Sequence, residues 1–352
     1  MKDLLLVGAG HAHLALLAPL AAEPLYGARI RLVSPHREQL YSGMLPGVIA
    51  GHYDAREARI DVARLAERAY VEFVEGSVAS LDLKARRARL RDGRELHYAI
   101  ASINAGSLVD ATIPGAARHA VAVRPYESLL QRLSVSAIRE VAVIGGGASG
   151  AELAMAIRHR GPGVTLYSDR DAFAPALAAR VAAALRRTGV DYRQGMAVDA
   201  IEPGPVVLAG ASRQAFDLAL LAASAAPLNW PRDNGLAVDE RGFILVDAML
   251  RSVSHPEVFA AGDCATLRDA PHAKSGVYSV RHGEALLGNL RRLLKGEALV
   301  RYRPQSKALM LLSTGNRSAI AARGGWTAQG RWVWRWKDWI DRRWVRRLAD
   351  GR

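Results

Sequence analysis

The stretch Met1–Leu17, MKDLLLVGAGHAHLALL, decides how the rest of the chain is read. A short apolar run, Leu4–Val7, flows into glycines and then into residues at helical spacing. That is a strand, a tight turn and a helix. At such a turn the first glycine permits the bend, and the second lets the backbone approach a pyrophosphate. The third permits close helix–strand packing, and the helix N-terminus offers N–H groups and partial positive charge to the anion. Gly8 and Gly10 hold the first two places, but His13 holds the third. An anion site is therefore expected at Gly8, Gly10, His11 and Ala12. The histidine is expected to load the packing instead, tilting the helix or standing it off the strand.

The pattern restarts at Arg139–Gly161, REVAVIGGGASGAELAMAIRHRG. Gly145, Gly147 and Gly150 complete the glycine spacing, with Ala148 and Ser149 at the helix start. Two such turns in one chain argue for two nucleotide sites. The usual companion, an acid closing the second strand, is missing from both units. The first unit ends Val33-Ser34-Pro35, which makes Ser34 a candidate for a ribose hydrogen bond, with Arg37 close behind. The second ends Tyr167-Ser168-Asp169-Arg170, where Ser168 and Arg170 suit a 2′-phosphate as well as a plain ribose. NADPH is expected to serve at least as well as NADH.

Composition sets the frame. The chain has 352 residues, half of them apolar, enough for two or three domains. No run is long and pure enough to span a bilayer, and no signal-peptide cleavage pattern follows the opening run, so a cytoplasmic protein is expected. Cys264 is the only cysteine, which excludes an internal disulfide, a redox dithiol and a four-cysteine zinc site. His11 and His13 do not share a helix face and have no acidic cluster, so no metal is expected. The formal net charge is +14, nearly all from arginine. Arginine-rich coding accounts for that as readily as attraction to anionic lipid or phosphate, and no nucleic-acid-binding spacing is present.

Along the chain, strands alternate with helices, which argues for parallel sheets in an α/β protein. Asp92-Gly93 marks a tight turn between two strands, and Gly189 and Gly296 are placed to stop helices.

Val258–Ala265, VFAAGDCA, following two glycine turns, resembles the two-dinucleotide-domain flavoproteins of the pyridine nucleotide-disulfide oxidoreductase superfamily, nearly end to end. The resemblance implies FAD at the first turn and NAD(P)H at the second, in a glutathione reductase-like fold. The second domain is then inserted in the first: 1–112 and 243–300 bind FAD, 113–242 binds NAD(P)H, and 301–352 is a C-terminal region. It implies that Gly262 and Asp263 meet the FAD ribityl chain and that Val78 meets adenine. Ala105 and Gly106 lie at the crossover, Tyr41, Ser42 and Met44 near the ring, and Gly276 and Val277 at a helix aimed at the reduced flavin. Within the superfamily the chain is similar to the type II NADH dehydrogenase branch. More narrowly, GAGHAHL, YSGMLPG, KSGVYSVRHG and RWKDWIDRRW resemble the flavoprotein module fused ahead of selenide, water dikinase. Disulfide reductases and sulfide:quinone reductases need cysteines that are absent here, and Val277 and Arg281 stand where quinone-site glutamines occur.

The implied chemistry is hydride transfer from NAD(P)H to flavin, then electron transfer to a quinone or other acceptor. Lys274 is expected to add positive charge near the flavin, or else to be a surface lysine. Glu152 is expected to orient the nicotinamide side, or else to be a first-turn acid favoured by the helix dipole. Other readings are a soluble reductase in selenium metabolism and a flavin-bearing interaction module with little turnover.

The tail is unlike the rest, holding six of the seven tryptophans between Trp326 and Trp344. Trp332, Trp336, Trp339, Ile340 and Trp344 recur on one helical side, and Arg331, Arg335, Asp338, Arg342 and Arg346 on the other. Lys337, Arg343 and Arg347 interrupt the apolar side. Two expectations stay open: residues 331–348 meet the inner membrane surface, or the tryptophans dock on the protein's own body.

Overall fold

The computed structural model describes residues 1–134 and 138–350. The chain begins with β1 (Lys2–Val7), α1 (His11–Leu17), β2 (Ala28–Ser34), β3 (Glu72–Glu75) and β4 (Ile100–Ile103). The middle supplies β5 (Val121–Ala122), β6 (Glu140–Ile144), α2 (Ala148–His159), β7 (Gly163–Ser168), α3 (Pro175–Thr188), β8 (Asp191–Gln194) and β9 (Leu218–Leu221). Then come β10 (Ile244–Val246), β11 (Val258–Ala260), β12 (Ala265–Leu267) and α4 (Gly276–Lys295). An antiparallel sheet of β13 (Met310–Ser313), β14 (Ala319–Arg323) and β15 (Trp326–Gly330) leads into α5 (Arg331–Asp350).

Two five-stranded parallel sheets result, in the orders β11-β4-β1-β2-β3 and β5-β9-β6-β7-β8. This is the expected α/β architecture with two Rossmann-like cores. In each sheet the first strand of a strand–glycine–helix unit is central, with the next strand on one side and a later one on the other. Each glycine turn therefore opens at the point where strand order reverses, the crevice where such folds take ligands. β1 is apolar without alternation because both its faces are covered, and Leu4, Leu5 and Leu6 are fully buried. Gly189 and Gly296 end α3 and α4 in the left-handed region, at φ +78° and +75°.

His13 shows how the altered third position is accommodated. Its ring is fully buried, with Nδ1 2.6 Å from the Gly8 carbonyl and Nε2 2.8 Å from Ser102 Oγ on β4. The imidazole bridges turn and strand instead of holding the helix away from them. Burial lowers its pKa to about 4, so it is neutral in the core.

The segment between β2 and β3 does not stay with its own sheet. Leu40, Met44, Leu45 and Tyr53 pack in the core of the second sheet, together with Leu312 and Ile320 of the antiparallel sheet. The Tyr41–Met44 stretch thus runs along the junction of the two halves.

The tail corrects the reading of its face. α5 docks on the protein body, but its buried positions are Val333, Lys337, Asp341 and Leu348. The expected tryptophan side is split: Trp332 and Trp339 remain 55% and 57% exposed, whereas Trp336 and Trp344 pack part-buried against the body. The tryptophan that docks most directly is Trp334, stacked 6.3 Å from Tyr53 and edge-on to His52. Among the described residues no helix is long and apolar enough to cross a membrane.

Candidate functional site

At the first turn, Gly8 adopts φ +87°, and a Cβ there would lie 2.6 Å from the Asn104 carbonyl, so only glycine fits. Asn104, at the end of β4, also caps α1. Its Oδ1 accepts from the Ala12 and His13 amides at 3.0 and 3.1 Å, and its Nδ2 donates to the Ala261 carbonyl at 2.6 Å. This corrects the expectation for Ala12 and adds a second reason for the glycine at position 10. The Ala12 amide serves Asn104, and Gly10 is small because a Cβ would collide with the Asn104 side chain. Sequence reading placed its neighbours Ala105 and Gly106 at the crossover and missed the capping role of Asn104.

Around this turn a polar corner assembles. The His11 ring lies 5.6 Å from the Tyr41 ring, its Nε2 is 3.4 Å from Ser42 Oγ, and a Cβ on Gly276 would sit 3.7 Å from it. Burial lowers the His11 pKa, against the pull of Asp263. Asp263 Oδ2 lies 3.4 Å from Arg124, which also donates to Ser107 Oγ at 2.9 Å. Asp263 Oδ1 is buried with no hydrogen-bond partner among the described residues. A buried carboxylate oxygen without a donor is costly, and a ligand hydroxyl is the natural complement. No side chain caps α4, and Val277 beside its start is exposed. Orphaned acceptor, uncapped helix and glycine turn together fit the ribityl and pyrophosphate of FAD. Arg124 was not found from sequence; nothing in Arg124-Pro125 separates it from an ordinary turn.

Other candidates fall in varied places. Ser34 is buried at the end of β2, and Arg37 is exposed with its guanidinium 5.7 Å from the Phe73 ring. Val78 is a buried residue of an antiparallel meander, and Ala105 and Gly106 follow β4 at the crevice. Met44 is 1% exposed, a core residue beneath Tyr41 rather than a free wall. Lys274 is a correction. Its ammonium donates to the Ala265 carbonyl and to Thr266 Oγ1, and lies 4.2 Å from the Phe243 ring centroid. It braces β12 and is neither a bare surface lysine nor a free charge ahead of α4. Cys264 is buried and bonded to the Ile103 and Ala261 carbonyls, and burial lifts its pKa to about 11. It is a packing thiol.

The second turn differs from the first. α2 has no side-chain cap, and a Cβ on Gly147 would meet open space. Gly145 takes φ +118°, and Gly150 packs against the Gly145 carbonyl. The first turn of α2, with Ala148 and Ser149, stands open to an anion. Ser168 is again a correction: it is buried, and its hydroxyl donates to the Arg170 carbonyl at 2.8 Å. Arg170 is exposed, with Asp169 3.5 Å away.

Between the two sites lies a cluster the sequence did not reveal. Glu152 Oε1 accepts from the Ser313 amide at 2.7 Å. Burial raises its pKa to about 7, against the pull of Lys337. Lys337 Nζ reaches Asp341 and the Gly43 carbonyl, both at 2.6 Å, and Tyr41 donates to Asp341 at 3.2 Å. Burial opposes the Lys337 charge, but Asp341 and Glu152 hold its pKa above the ordinary value. Tyr53 donates to Asp338 at 2.7 Å. Three separate parts of the chain meet here: the loop at Tyr41–Gly43, α2 and the tail helix α5.

The fold holds two strand–glycine–helix turns of the kind that dinucleotide-binding proteins share. The pyridine nucleotide-disulphide oxidoreductase family model matches residues 2–283, and the chain belongs to that family. It is 30% identical over 260 residues to an NADH dehydrogenase-like protein of Mycobacterium tuberculosis, covering 66% of this chain and 64% of that relative's length. It is 25% identical over 335 residues to the NADH dehydrogenase-like protein YutJ of Bacillus subtilis, covering 91% of each. Among solved structures, sulfide:quinone oxidoreductase from Aquifex aeolicus superposes with a TM-score of 0.84 at 16% identity, covering 100% of this chain and 92% of that one. That likeness concerns the fold.

Proposed function

We propose that this chain oxidises NAD(P)H through bound FAD and passes the electrons to a separate acceptor, a quinone or another two-electron oxidant. The carrying observation is the pair of glycine turns whose neighbouring elements are tied together by the Glu152–Lys337–Asp341–Tyr41 cluster. The relatives named NADH dehydrogenase-like support the same reading. Bound FAD would supply the hydride-accepting and electron-relaying chemistry. The chain's part is to hold and position. Asp263, Arg124 and the start of α4 hold the flavin side, and the first turn of α2 holds the donor's pyrophosphate. Glu152, poised near neutrality, exchanges a proton at its carboxylate while Lys337 stabilises the charged form. We take 1–112 with 243–300 as the FAD-binding part, 113–242 as the NAD(P)H-binding part and 301–352 as the C-terminal region.

Anaerobic titration with NADPH and with NADH, following flavin absorbance, tests this. Stoichiometric bleaching is expected, with NADPH at least as effective because Arg170 is exposed and no acid closes β7. A strong NADH preference would remove the NADPH expectation. Bound flavin that neither donor bleaches would overturn the reading in favour of a flavin-bearing interaction module. A role in selenium metabolism rests on motif resemblance alone, and none of the relatives named above adds to it.

The outer face of α5 supports peripheral membrane contact as a second part of the proposal. Trp332 and Trp339 stand out among exposed Arg331, Arg335, Arg343, Arg346 and Arg347, with the Arg343 guanidinium 5.3 Å from the Trp339 ring. Tryptophan beside arginine suits an anionic interface. The double variant Trp332→Ser, Trp339→Ser is expected to bind anionic vesicles about tenfold more weakly in flotation, the loss of two interfacial anchors. Equal flotation of variant and wild type would end the idea.

A further inference from the structure

We infer that His272 and His282 form a positioning relay that holds the Gly262–Asp263 turn in the shape that receives FAD, and that proton uptake by the relay loosens FAD. The inference rests on the reading of Asp263 as the ribityl-binding carboxylate.

The bonds fix the tautomers. The Gly262 amide donates to His282 Nδ1 at 3.0 Å, so that nitrogen carries no proton. A neutral His282 then bears its proton on Nε2, which faces His272 Nε2 at 3.1 Å. His272 Nε2 must accept, so its own proton sits on Nδ1, 3.0 Å from the Ala270 carbonyl. One consistent chain runs from Gly262 through both rings to Ala270. It has no room for another proton. A proton on His272 Nε2 would face the His282 N–H, and a proton on His282 Nδ1 would face the Gly262 N–H.

The geometry gives the chain leverage. Gly262 has φ +71°, and a Cβ there would collide with Asn104 Nδ2, so this turn is tightly set between Asn104 and His282. Asp263, with its orphaned Oδ1, follows directly. His282 is 1% exposed, whereas His272 is half-buried and is the ring that water reaches. Ala270 and Tyr302 line a cavity of about 340 Å³ that also borders Asp269, Arg301 and Arg303. The charged and titratable groups facing the pair are Lys274 on the preceding segment, Tyr278 on α4, and Tyr302, itself facing Arg281 and Glu284.

Burial and the neighbouring Lys274 charge lower the His272 pKa, and burial with His272 and Lys274 lowers that of His282 to about 3. Both shifts are downward from 6.5, so the stability they contribute is fully present above that pH and declines as pH falls below it. Protonation opens the relay first at His272.

FAD affinity of the apoprotein, followed by flavin fluorescence between pH 7.5 and 5.5, reads this without any turnover. His11 stands at the same cradle and its pKa is likewise lowered by burial, so the comparison with variants carries the test. Wild type is expected to lose about two- to fivefold in affinity by pH 5.5, less than the roughly tenfold that one proton on an unshifted histidine would cost there. His272→Gln and His282→Gln cannot take up a proton. His282→Gln still offers an acceptor to Gly262, so it is expected to keep the pH 7.5 affinity and flatten the loss. His282→Leu removes the acceptor and is expected to bind about tenfold more weakly at pH 7.5. Wild-type pH dependence retained in both Gln variants overturns the inference. An Asp263→Ala variant with undiminished affinity at every pH overturns the underlying site reading, and so is told apart from failure of the relay.

Discussion

Lys337→Met is expected to release α5 from the body of the protein. Lys337 and Asp341 are 7% and 5% exposed, and the ammonium also serves the Gly43 carbonyl. Removing the cation leaves the Asp341 carboxylate in a dry seam with only Tyr41 to answer it. Breaking one side of a buried pair costs about 3–5 kcal/mol. In a chain of this size that lowers Tm by about 4–7 °C. The seam is local, so the first event is undocking rather than global unfolding. Limited proteolysis at the arginines of α5 therefore reads it more directly than melting does.

Glu152 gives the defect a pH signature. Its folded pKa is raised to about 7 from 4.5, so folding disfavours its charged form, and stability falls as pH rises through that window. Lys337 offsets part of this. Without it the gap between variant and wild type should widen from pH 5.5 to pH 8. The double variant Lys337→Met, Asp341→Leu removes both charges and should recover most of the lost protection. Unchanged proteolysis of Lys337→Met at both pH values would show that the pair does not hold the tail.

The same seam shows where sequence reading reaches its limit. The glycine turns were legible because their constraint is local: a positive φ or a carbonyl in contact excludes a side chain wherever the rest of the chain lies. Helix stops at Gly189 and Gly296 are legible for the same reason. The site is less so. Nothing near Ala12 indicates that Asn104, ninety-two residues later, takes its amide. Ser168 and Lys274 have side chains of the expected chemistry, but each has a nearer partner that turns it away. In α5, apolar periodicity points to the tryptophans, yet the inward row runs Val333, Lys337, Asp341 and Leu348. A charged pair can form a seam only when the opposite wall supplies partners. Here those are Gly43 and Tyr41, three hundred residues away in sequence.

Asp263→Ala is expected to weaken FAD binding by about 10- to 100-fold, the worth of a hydrogen bond to a charged acceptor. The effect should fall on the holoprotein alone. Without FAD, Asp263 Oδ1 has no partner to lose, and its burial is a cost the alanine removes. Arg124 loses a neighbour 3.4 Å away but keeps Ser107, and its side chain is 27% exposed to water. The apoprotein should therefore melt at the wild-type temperature or slightly above. FAD at a hundred times its Kd stabilises wild type by about 2.7 kcal/mol, and a hundredfold weaker site forfeits most of that at the same concentration. Melting curves with and without added FAD thus separate the roles. A variant that loses stability in both states would make Asp263 a structural residue. One that keeps its full FAD-dependent gain would remove the carboxylate from the flavin site, and with it the reason for the orphaned oxygen.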